Sequence, residues 1–282
     1  MLRTLAAVSI IALAAAVAAT SRGASDNYLV PGEVQKMEAA LPTKASAQPA
    51  KPRKVLVFSL ARIYVHPVTQ MGVKTFELMG QKTGAWETVA SDDPQMFAAD
   101  KLQAFDAIIF NNTSGNSFDD PTLQKNLLEF VKGGKGFVGI HGAADTFHDW
   151  KEYGEMIGGR FNGHPWRRAN VKIDDPQSPL NAAFDGGFDI NEEIYTFKAP
   201  YSRQSVHVLL SMDWAASKLG GGNRDDNDYA LAWCRTYGQG RVFYSAFGND
   251  IQVYSNRLIL KHWCDGIQYA IGDLKADATP GK

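Results

Sequence analysis

The stretch that decides the fold is Lys135–Trp150, which reads KGFVGIHGAADTFHDW. Its apolar run Gly136–Ile140 follows the turn signal Lys132-Gly-Gly, and this context predicts a fully buried strand. The run ends at His141, and Asp145, His148, Asp149 and Trp150 follow it closely. Because ligands of open parallel sheets bind beyond the carboxyl ends of the strands, this end of the strand is the first candidate for a functional site.

Strands and helices alternate upstream of this stretch. Short apolar runs indicate buried strands, and apolar residues at helical spacing indicate the helices between them. The predicted strands are Lys54–Leu60, Trp86–Ala90 and Asp106–Phe110, and the predicted helices are Thr69–Thr83 and one that begins at Asp120-Pro121. This order predicts an α/β fold with a mostly parallel sheet and helices on both of its faces.

The second half of the chain has short strand-like runs separated by turn signals. Ala230–Arg235 and Arg241–Ser245, joined by Tyr237–Gly240, are typical of a hairpin. We expect these strands to extend the sheet with antiparallel members. A last helix over Tyr254–Ile271 is expected to cover the sheet, and a loop around Gly158–Gly163 is expected to fold back over the site.

The two ends of the chain differ from the domain between them. Residues 1–19 combine a basic start, an apolar run and small residues, which is the order of a secretory signal peptide. A single membrane anchor is the alternative, but the apolar run is short for that role. We therefore expect an exported protein, periplasmic or extracellular, that is not inserted in the membrane after cleavage. Residues 20–53 are predicted to be a disordered linker, 54–272 the domain, and 273–282 a flexible tail.

Charge and cysteine content exclude some classes of function. The formal net charge is −1, so no basic field favours nucleic acid. Cys234 and Cys264 are either a disulfide of an oxidising compartment or two buried thiols, and they have no metal-binding spacing. The chain lacks the Gly-x-Ser-x-Gly motif of serine hydrolases, and no Gly-x-Gly-x-x-Gly follows the first strand.

Several segments together resemble one family. They are FDAIIFNNTSG, FVKGGKGFVGIHGAADTFHDWKEYGEMIGGRFNGHP, NEEIYTF and GQGRVFYSAFGN, with His66 after the first strand. Over Lys54–Gly272 the chain resembles the ThuA-like, or trehalose-utilisation, family. The resemblance implies a flavodoxin-like fold similar to that of class I glutamine amidotransferases, and an association with disaccharides and their 3-keto derivatives.

Two departures limit what the resemblance implies. Amidotransferases of this fold carry a nucleophilic cysteine in the turn where this chain has His141, so thiol chemistry is not implied. The family often has late histidines in a His-Pro-x-x-Trp motif and a Gly-His turn. This chain has Asp228–Trp233 and Gly248-Asn249 at those places, so a metal site or base built from late histidines is not expected.

The candidate catalytic residues lie near the end of the central strand. They are His141, His148, His164, Asp145 and Glu193. Histidine exchanges protons near neutral pH, and a carboxylate can orient it or share a metal with it. Each residue also has a structural interpretation: a ring bonded to backbone in the turn for His141, a surface loop for His148, and the start of a strand for Glu193.

Ligand-binding residues are expected around these groups. The candidates are His66, Trp150, Trp166, Tyr195 and Asn111, which begins the polar loop after a strand. An aromatic ring beside a polar cluster can stack on a sugar, and we expect this of Trp166. Packing on the sheet is the alternative for the segment Trp150–Ile157, and we favour it for Tyr153.

The function and any cofactor stay open at this level. His141, His148, His164 and Glu193 are adequate ligands for a divalent transition metal, although no strong metal-binding spacing occurs. The first hypothesis is an exported enzyme that acts on 3-keto glycosides or related sugars by acid–base chemistry, through elimination, hydrolysis or isomerisation. The alternative is a non-catalytic protein that binds carbohydrate in the same cleft.

Overall fold

The structure, a computed structural model, describes residues 29–281. Within that range the helices are α1 (Pro31–Ala40), α2 (Thr69–Thr83), α3 (Ala99–Leu102), α4 (Pro121–Lys132), α5 (Lys151–Ile157), α6 (Trp214–Ser217) and α7 (Arg257–Ile271). The strands are β1 (Lys54–Phe58), β2 (Glu87–Ser91), β3 (Ala107–Asn111), β4 (Gly136–Ile140), β5 (Arg160–Phe161), β6 (Trp166–Ile173), β7 (Phe188–Ile194), β8 (Phe197–Lys198), β9 (His207–Met212), β10 (Ala230–Tyr237) and β11 (Gly240–Ser245). The expected signal peptide lies outside the described residues.

One nine-stranded sheet organises the chain, in the order β2-β1-β3-β4-β11-β10-β9-β6-β7. The neighbours from β2 to β11 pair in parallel, and those from β11 to β7 pair antiparallel. The first five strands follow the flavodoxin-like order 2-1-3-4-5, with β11 in the fifth place. The predicted fold class, a parallel sheet extended by antiparallel strands, is confirmed, and so is the hairpin of β10 and β11.

Two hydrophobic cores lie on opposite faces of this sheet. Alternate residues of a strand point to opposite faces, so Val55 and Val57 of β1 enter one core while Leu56 and Phe58 enter the other. The first core is covered by α1, α2 and α7, and the second by α3, α4 and α5. β1, β3, β4 and β11 are largely buried on both faces, which explains their mostly apolar sequence, whereas the edge strand β2 is partly exposed.

Helix ends are set by capping residues that the sequence makes visible. The Asp120 carboxylate accepts the Thr122 N–H at 2.7 Å, and Pro121 occupies the first turn of α4. Asn256 caps α7 in the same way, and α7 ends at Gly272, whose φ of 88° is left-handed. The caps at Asp120 and Asn256 therefore mark where the loops after β3 and β11 end and the following helices begin.

Residues 29–53 are packed against the domain, whereas the composition of 20–53 indicates a disordered linker. α1 buries Met37 and Ala40 in the first core, and the Ser46 hydroxyl donates to Asp265 at 2.6 Å. Arg53 forms an ion pair with Asp273. These contacts join positions more than 200 residues apart, so a local sequence pattern cannot reveal them.

The end of the chain is also packed, contrary to the expected flexible tail. Leu274, Ala276 and Ala278 pack against the first core. The backbone carbonyl of Thr279 accepts a hydrogen bond from His207 Nδ1 at 2.8 Å. The tail therefore runs along the antiparallel half of the sheet and satisfies a buried histidine of β9.

Two local expectations are corrected by the structure. Glu193, interpreted as the start of a strand, instead lies one residue before the end of β7, which stops at Ile194. The segment expected to be a loop over the site contains β5, which pairs with β8 in a separate two-stranded sheet. Between residues 29 and 281, no helix has the length and apolar character needed to cross a membrane.

Candidate functional site

The turn after β4 holds His141 in an unusual backbone conformation. Its φ is 46°, in the left-handed region that costs a residue with a side chain roughly 1–3 kcal/mol. Two hydrogen bonds stabilise the turn: His141 Nδ1 donates to the Ala246 carbonyl at 2.7 Å, and the Tyr244 hydroxyl donates to the His141 carbonyl at 2.8 Å. The ring is fully buried, and its Nε2 has no hydrogen-bond partner.

The loop after β1 brings His66 against this ring. The two imidazoles meet edge to face with centroids 4.9 Å apart, and His66 Nδ1 is buried without a partner. Gly142 makes the approach possible, because a Cβ there would lie 2.7 Å from the Thr113 carbonyl and 3.2 Å from His66 Cε1. Only glycine fits at this position.

A bulge in β7 presents Glu193 to the same point. Trp166 pairs with Ile194 and Arg168 with Asn191, so two residues of β7 lie opposite Arg167. Glu193 Oε2 lies 3.3 Å from His141 Nε2, and Oε1 lies 3.4 Å from His164 Nδ1 and 2.8 Å from Arg167. One carboxylate therefore joins two histidines and an arginine.

Burial and neighbouring charge set the ionisation of these groups. Burial by itself would raise the pKa of Glu193, but the close approach of His141, together with His164 and Arg167, holds that pKa below its usual value. Burial, with a smaller effect of the charge on His141, lowers the pKa of His66 to about 3. The site at neutral pH thus contains an ionised carboxylate beside a neutral histidine.

His141 Nε2 and Glu193 Oε2 face each other at a distance that a proton or a metal ion can bridge. Because the Ala246 carbonyl fixes a proton on Nδ1, a neutral ring directs the Nε2 lone pair at a carboxylate oxygen 3.3 Å away. Two acceptors at this distance are satisfied by a shared proton or by a metal ion.

A divalent transition metal fits the same residues. Ligand atoms of His66, His141 and Glu193 lie within 4.8 Å of one another. The orphaned ring nitrogens and the ionised carboxylate match the donors that Zn²⁺ prefers, and the Ala246 carbonyl is the outer partner typical of a metal-bound histidine. His164 lies beside this set through Glu193, whereas His148, one of the possible ligands suggested by the sequence, is not part of it.

Aromatic rings form one wall of the site. Tyr195 lies 4.1 Å from His141 between ring centroids, and Phe161 lies 4.4 Å from Tyr195. The His164 ring is stacked 5.8 Å from Phe161. On the other side Tyr64 meets His66 edge to face at 4.8 Å and is more than half exposed. The exposed Tyr64 ring, beside the polar groups of the site, suits contact with a sugar.

Glu192, the neighbour of Glu193, holds the loop after β11. Its carboxylate accepts the backbone N–H groups of Gly248, Asn249 and Asp250 at 3.1–3.2 Å and that of Glu193 at 2.7 Å. Burial raises the pKa of Glu192. The same loop carries the Ala246 carbonyl that orients His141, so Glu192 positions the histidine without touching it.

Asp145 and His148 form a separate pair at the edge of the site. His148 Nε2 contacts Asp145 Oδ1 at 2.7 Å, and the His148 side chain is half exposed. Burial raises the pKa of Asp145, with His148, His141 and His164 acting in the opposite direction. The pair therefore adjoins the His141 cluster, although His148 does not reach Glu193.

Three residues expected to bind ligand have structural contacts instead. Trp166 is buried against Trp214 and Tyr229, and its indole donates to the Gly220 carbonyl at 2.8 Å. Trp150 packs on Phe147 and Tyr153. Asn111 is buried and donates to Ser59 Oγ and the Thr69 carbonyl, which ties β3 to β1 and α2.

Sequence reasoning did not single out Arg167, Tyr64 or Glu192. A signal for Arg167 exists: strand alternation sends Arg167 and Trp166 to opposite faces, so a buried Trp166 implies an Arg167 that faces the site. Tyr64 lies two positions before His66. Glu192 has no comparable signal, since its role depends on a loop more than 50 residues away.

The two cysteines are free and buried in the first core, away from His141. Burial raises the pKa of Cys264 to about 12 and raises that of Cys234 further still. A thiol whose pKa lies so high is protonated at neutral pH and is a poor nucleophile. Of the two sequence interpretations, buried thiols describe them.

Comparison with known proteins identifies the family. The family model described as ThuA, trehalose utilisation, matches residues 54–270. A ThuA-like protein of known structure from Bacteroides uniformis is 22% identical over 77% of this chain and 93% of its own, with a TM-score of 0.60. Another, from Parabacteroides merdae, is 16% identical over 80% of this chain and 92% of its own, also with a TM-score of 0.60.

No curated protein matches the chain. The structural likeness, at these identities, shows a shared fold. The family match covers most of the chain and includes every residue of the His141 site. The chain belongs to the ThuA family.

Proposed function

We propose that the protein is an exported enzyme of carbohydrate catabolism that transfers a proton at a carbon next to a sugar ketone, as in a 3-keto glycoside. The observation that carries the proposal is the buried contact of 3.3 Å between His141 Nε2 and Glu193 Oε2. The family association with trehalose utilisation supports a sugar as the substrate. Export follows from the signal-peptide pattern of residues 1–19.

The geometry suits removal of the acidified C2 proton of a 3-keto sugar. The His141–Glu193 pair accepts that proton, and the electrons of the C–H bond form a C1–C2 double bond as the glycosidic C1–O bond breaks. His164, partly exposed and held by Glu193 at 3.4 Å, is placed to protonate the leaving oxygen. Hydrolysis and isomerisation would begin with the same proton transfer.

Charge develops on the ketone oxygen when the proton leaves, and it needs stabilisation. Arg167, with its side chain 67% exposed and its guanidinium 2.8 Å from Glu193, supplies a cation at the mouth of the site. A metal ion held by His66, His141 and Glu193 would supply a Lewis acid there. Tyr195, whose pKa burial raises well above its usual value, remains a neutral hydrogen-bond donor.

The test is an assay of the purified protein on 3-keto disaccharides and their unoxidised parents, with and without added Zn²⁺ or Mn²⁺. His141→Ala and Glu193→Gln should each lower kcat/KM by about a hundredfold or more, the effect of losing a general acid or base. Glu155→Gln, an exposed glutamate of α5, is the matched control and should match the unmodified protein.

A second class of function has a distinct result in the same experiment. A carbohydrate-binding protein without catalysis would bind these sugars, turn none of them over, and keep its affinity in the His141→Ala variant. That outcome would replace the enzymatic proposal.

A further inference from the structure

A cavity that the proposed chemistry does not use lies beside the His141 cluster. We define this side cavity by Asp145, His148, Arg160, Phe161 and Lys198, which line it together with neighbouring backbone. Its volume is about 260 Å³. That is slightly below the pockets that hold drug-sized ligands, and it suits one portion of a ligand of sugar size.

The side cavity adjoins the proposed catalytic groups. Phe161 belongs to its wall and also stacks on Tyr195 and His164. Asp145 lies in the turn that begins at His141. The side cavity therefore shares the Phe161 ring with the His141 cluster.

Two cations face each other in this cavity without an acidic partner. Arg160 of β5 pairs directly with Lys198 of β8, so their side chains share a face, with Cβ atoms about 5 Å apart. Like charges in this position destabilise a strand pair. Among residues 29–281 neither side chain forms an ion pair with a carboxylate, and Arg160 donates only to the His148 carbonyl, at 3.3 Å.

The fold holds Arg160 in this place at a cost. Gly154 lies inside α5, where glycine is roughly 1 kcal/mol less favourable than alanine. A Cβ at that position would lie 2.5 Å from Arg160 Nε, so the glycine makes room for the arginine stem. Arg160 Nε is buried there without a partner. This arrangement fixes the arginine beside the cavity.

The charge of the side cavity is therefore positive toward its β5–β8 wall. Asp145, the carboxylate at the opposite side, is bonded to His148. We propose that the side cavity is a subsite for an anionic oxygen group of the ligand, a carboxylate or a phosphate, bound by Arg160 and Lys198. The Asp145–His148 pair faces the remainder of that ligand and hydrogen-bonds its hydroxyl groups.

The inference deepens the proposed function, and it rests on that function for the identity of the ligand as a sugar. Guanidinium and ammonium groups form charge-assisted hydrogen bonds to carboxylate and phosphate, which are about twice as strong as neutral ones. A neutral sugar would leave both cations unpaired. The structure therefore favours an acidic sugar over a neutral one.

Calorimetric titration of the full protein tests the inference with glucuronate, glucose 6-phosphate and glucose as probes. We expect at least one of the two anionic probes to bind at least tenfold more tightly than glucose, and a comparison of the two separates carboxylate from phosphate. Lys198→Gln and Arg160→Gln should each weaken the binding of that anionic probe about tenfold and leave glucose unchanged. Lys125→Gln, an exposed lysine of α4, is the matched control.

Equal affinity for glucose and both anionic probes would overturn the inference, as would Lys198→Gln behaving like the control. Lys198 is exposed, so its variant keeps the test decisive even if Arg160→Gln fails to fold. The turnover assay separates the two proposals, because binding of the anionic probe to the unmodified protein is measured independently of turnover. Anion binding in a protein that turns over no sugar would remove the proposed function and leave this subsite.

Discussion

Two buried histidines make the stability of the folded protein depend on pH. His262 of α7 is fully buried, donates from Nδ1 to the Leu180 carbonyl at 2.7 Å, and leaves Nε2 without a partner. Burial, only partly opposed by the Leu180 carbonyl, lowers the pKa of His262 to about 4. His66 behaves similarly. Both are held neutral in the folded protein.

The expected consequence is a loss of stability in mild acid. Below the ordinary histidine pKa of 6.5 the unfolded chain binds a proton at His262 that the folded chain refuses until about pH 4. The stability due to this residue is therefore complete above pH 6.5 and decreases by about 1.4 kcal/mol per pH unit below it. Urea unfolding at pH 7.5 and pH 5 measures this slope.

His262→Gln isolates the effect, because glutamine does not titrate. The variant should be less stable at pH 7.5, since its ring contacts with Phe184 and Phe243 are lost, but its stability should change less between the two pH values. A variant with the slope of the unmodified protein would show that His262 is not the titrating group.

At the scale of an element, the bulge in β7 separates the roles of two adjacent glutamates. Glu193 points to His141, while Glu192 points to the backbone N–H groups after β11. Neighbouring side chains of a regular strand also point to opposite faces. In β7 the extra residue of the bulge changes which side chain faces Arg167. β7 thereby supplies both Glu193, the carboxylate that is proposed to react, and Glu192, the carboxylate that holds the loop beside His141.

Removing the Glu192 carboxylate should change catalysis without removing any group of the reaction. Glu192→Ala leaves three N–H groups of the loop unsatisfied, which costs roughly 3 kcal/mol of stability. The Ala246 carbonyl then loses its fixed position, and we expect kcat to decrease about tenfold or more while KM changes little. The NMR resonance of the His141 Nδ1 proton should shift as well.

Glu192→Gln is the control for this prediction, since its amide oxygen still accepts from the loop. It should restore part of the stability and part of kcat. An unchanged His141 resonance in Glu192→Ala would mean that the loop keeps its geometry without the carboxylate, and Glu192 would then be only a packing residue.

The elements of the site show how far sequence reasoning reaches. His66 and His141 were foreseeable because they follow strands, and strand ends of one sheet meet at one edge. Glu193 was singled out by the family resemblance, since its place in a strand had a purely structural interpretation. Trp166 was assigned to the ligand because it follows His164-Pro165, yet the pairing of Trp166 with Ile194 turns it into the core. That register depends on the bulge, which no local sequence pattern marks.

At the scale of the whole molecule, both terminal segments converge on the end of α7. Arg53 pairs with Asp273, and the Ser46 and Ala47 N–H groups donate to Gln268. The tail begins at the same point. The parallel half of the fold was predictable from alternating strand and helix patterns. That the two terminal segments are packed was not predictable, because their packing rests on isolated polar bonds and a few small apolar residues.

Deletion of residues 274–282 should destabilise the protein measurably. The deletion exposes apolar surface of the first core and removes the carbonyl that His207 Nδ1 contacts. We expect a loss of about 2–4 kcal/mol in the free energy of unfolding, from lost apolar burial and one buried hydrogen bond. Deletion of residues 281 and 282 alone is the control and should cost much less. Equal stability of the two truncated proteins would contradict an anchored tail.

The pairing of β4 with β11 brings together His141 and Ala246, which lie far apart in the sequence. His141 and the carbonyl that orients it are separated by 105 residues. Contacts of this span form late, because loop closure must precede them. In a growing chain, β1 to β4 can therefore form before the Ala246 carbonyl is present to hold a proton on His141 Nδ1. Synthesis has to pass Ala246 before the His141 turn can be completed, so the geometry of the proposed site forms only after most of the scaffold has been made.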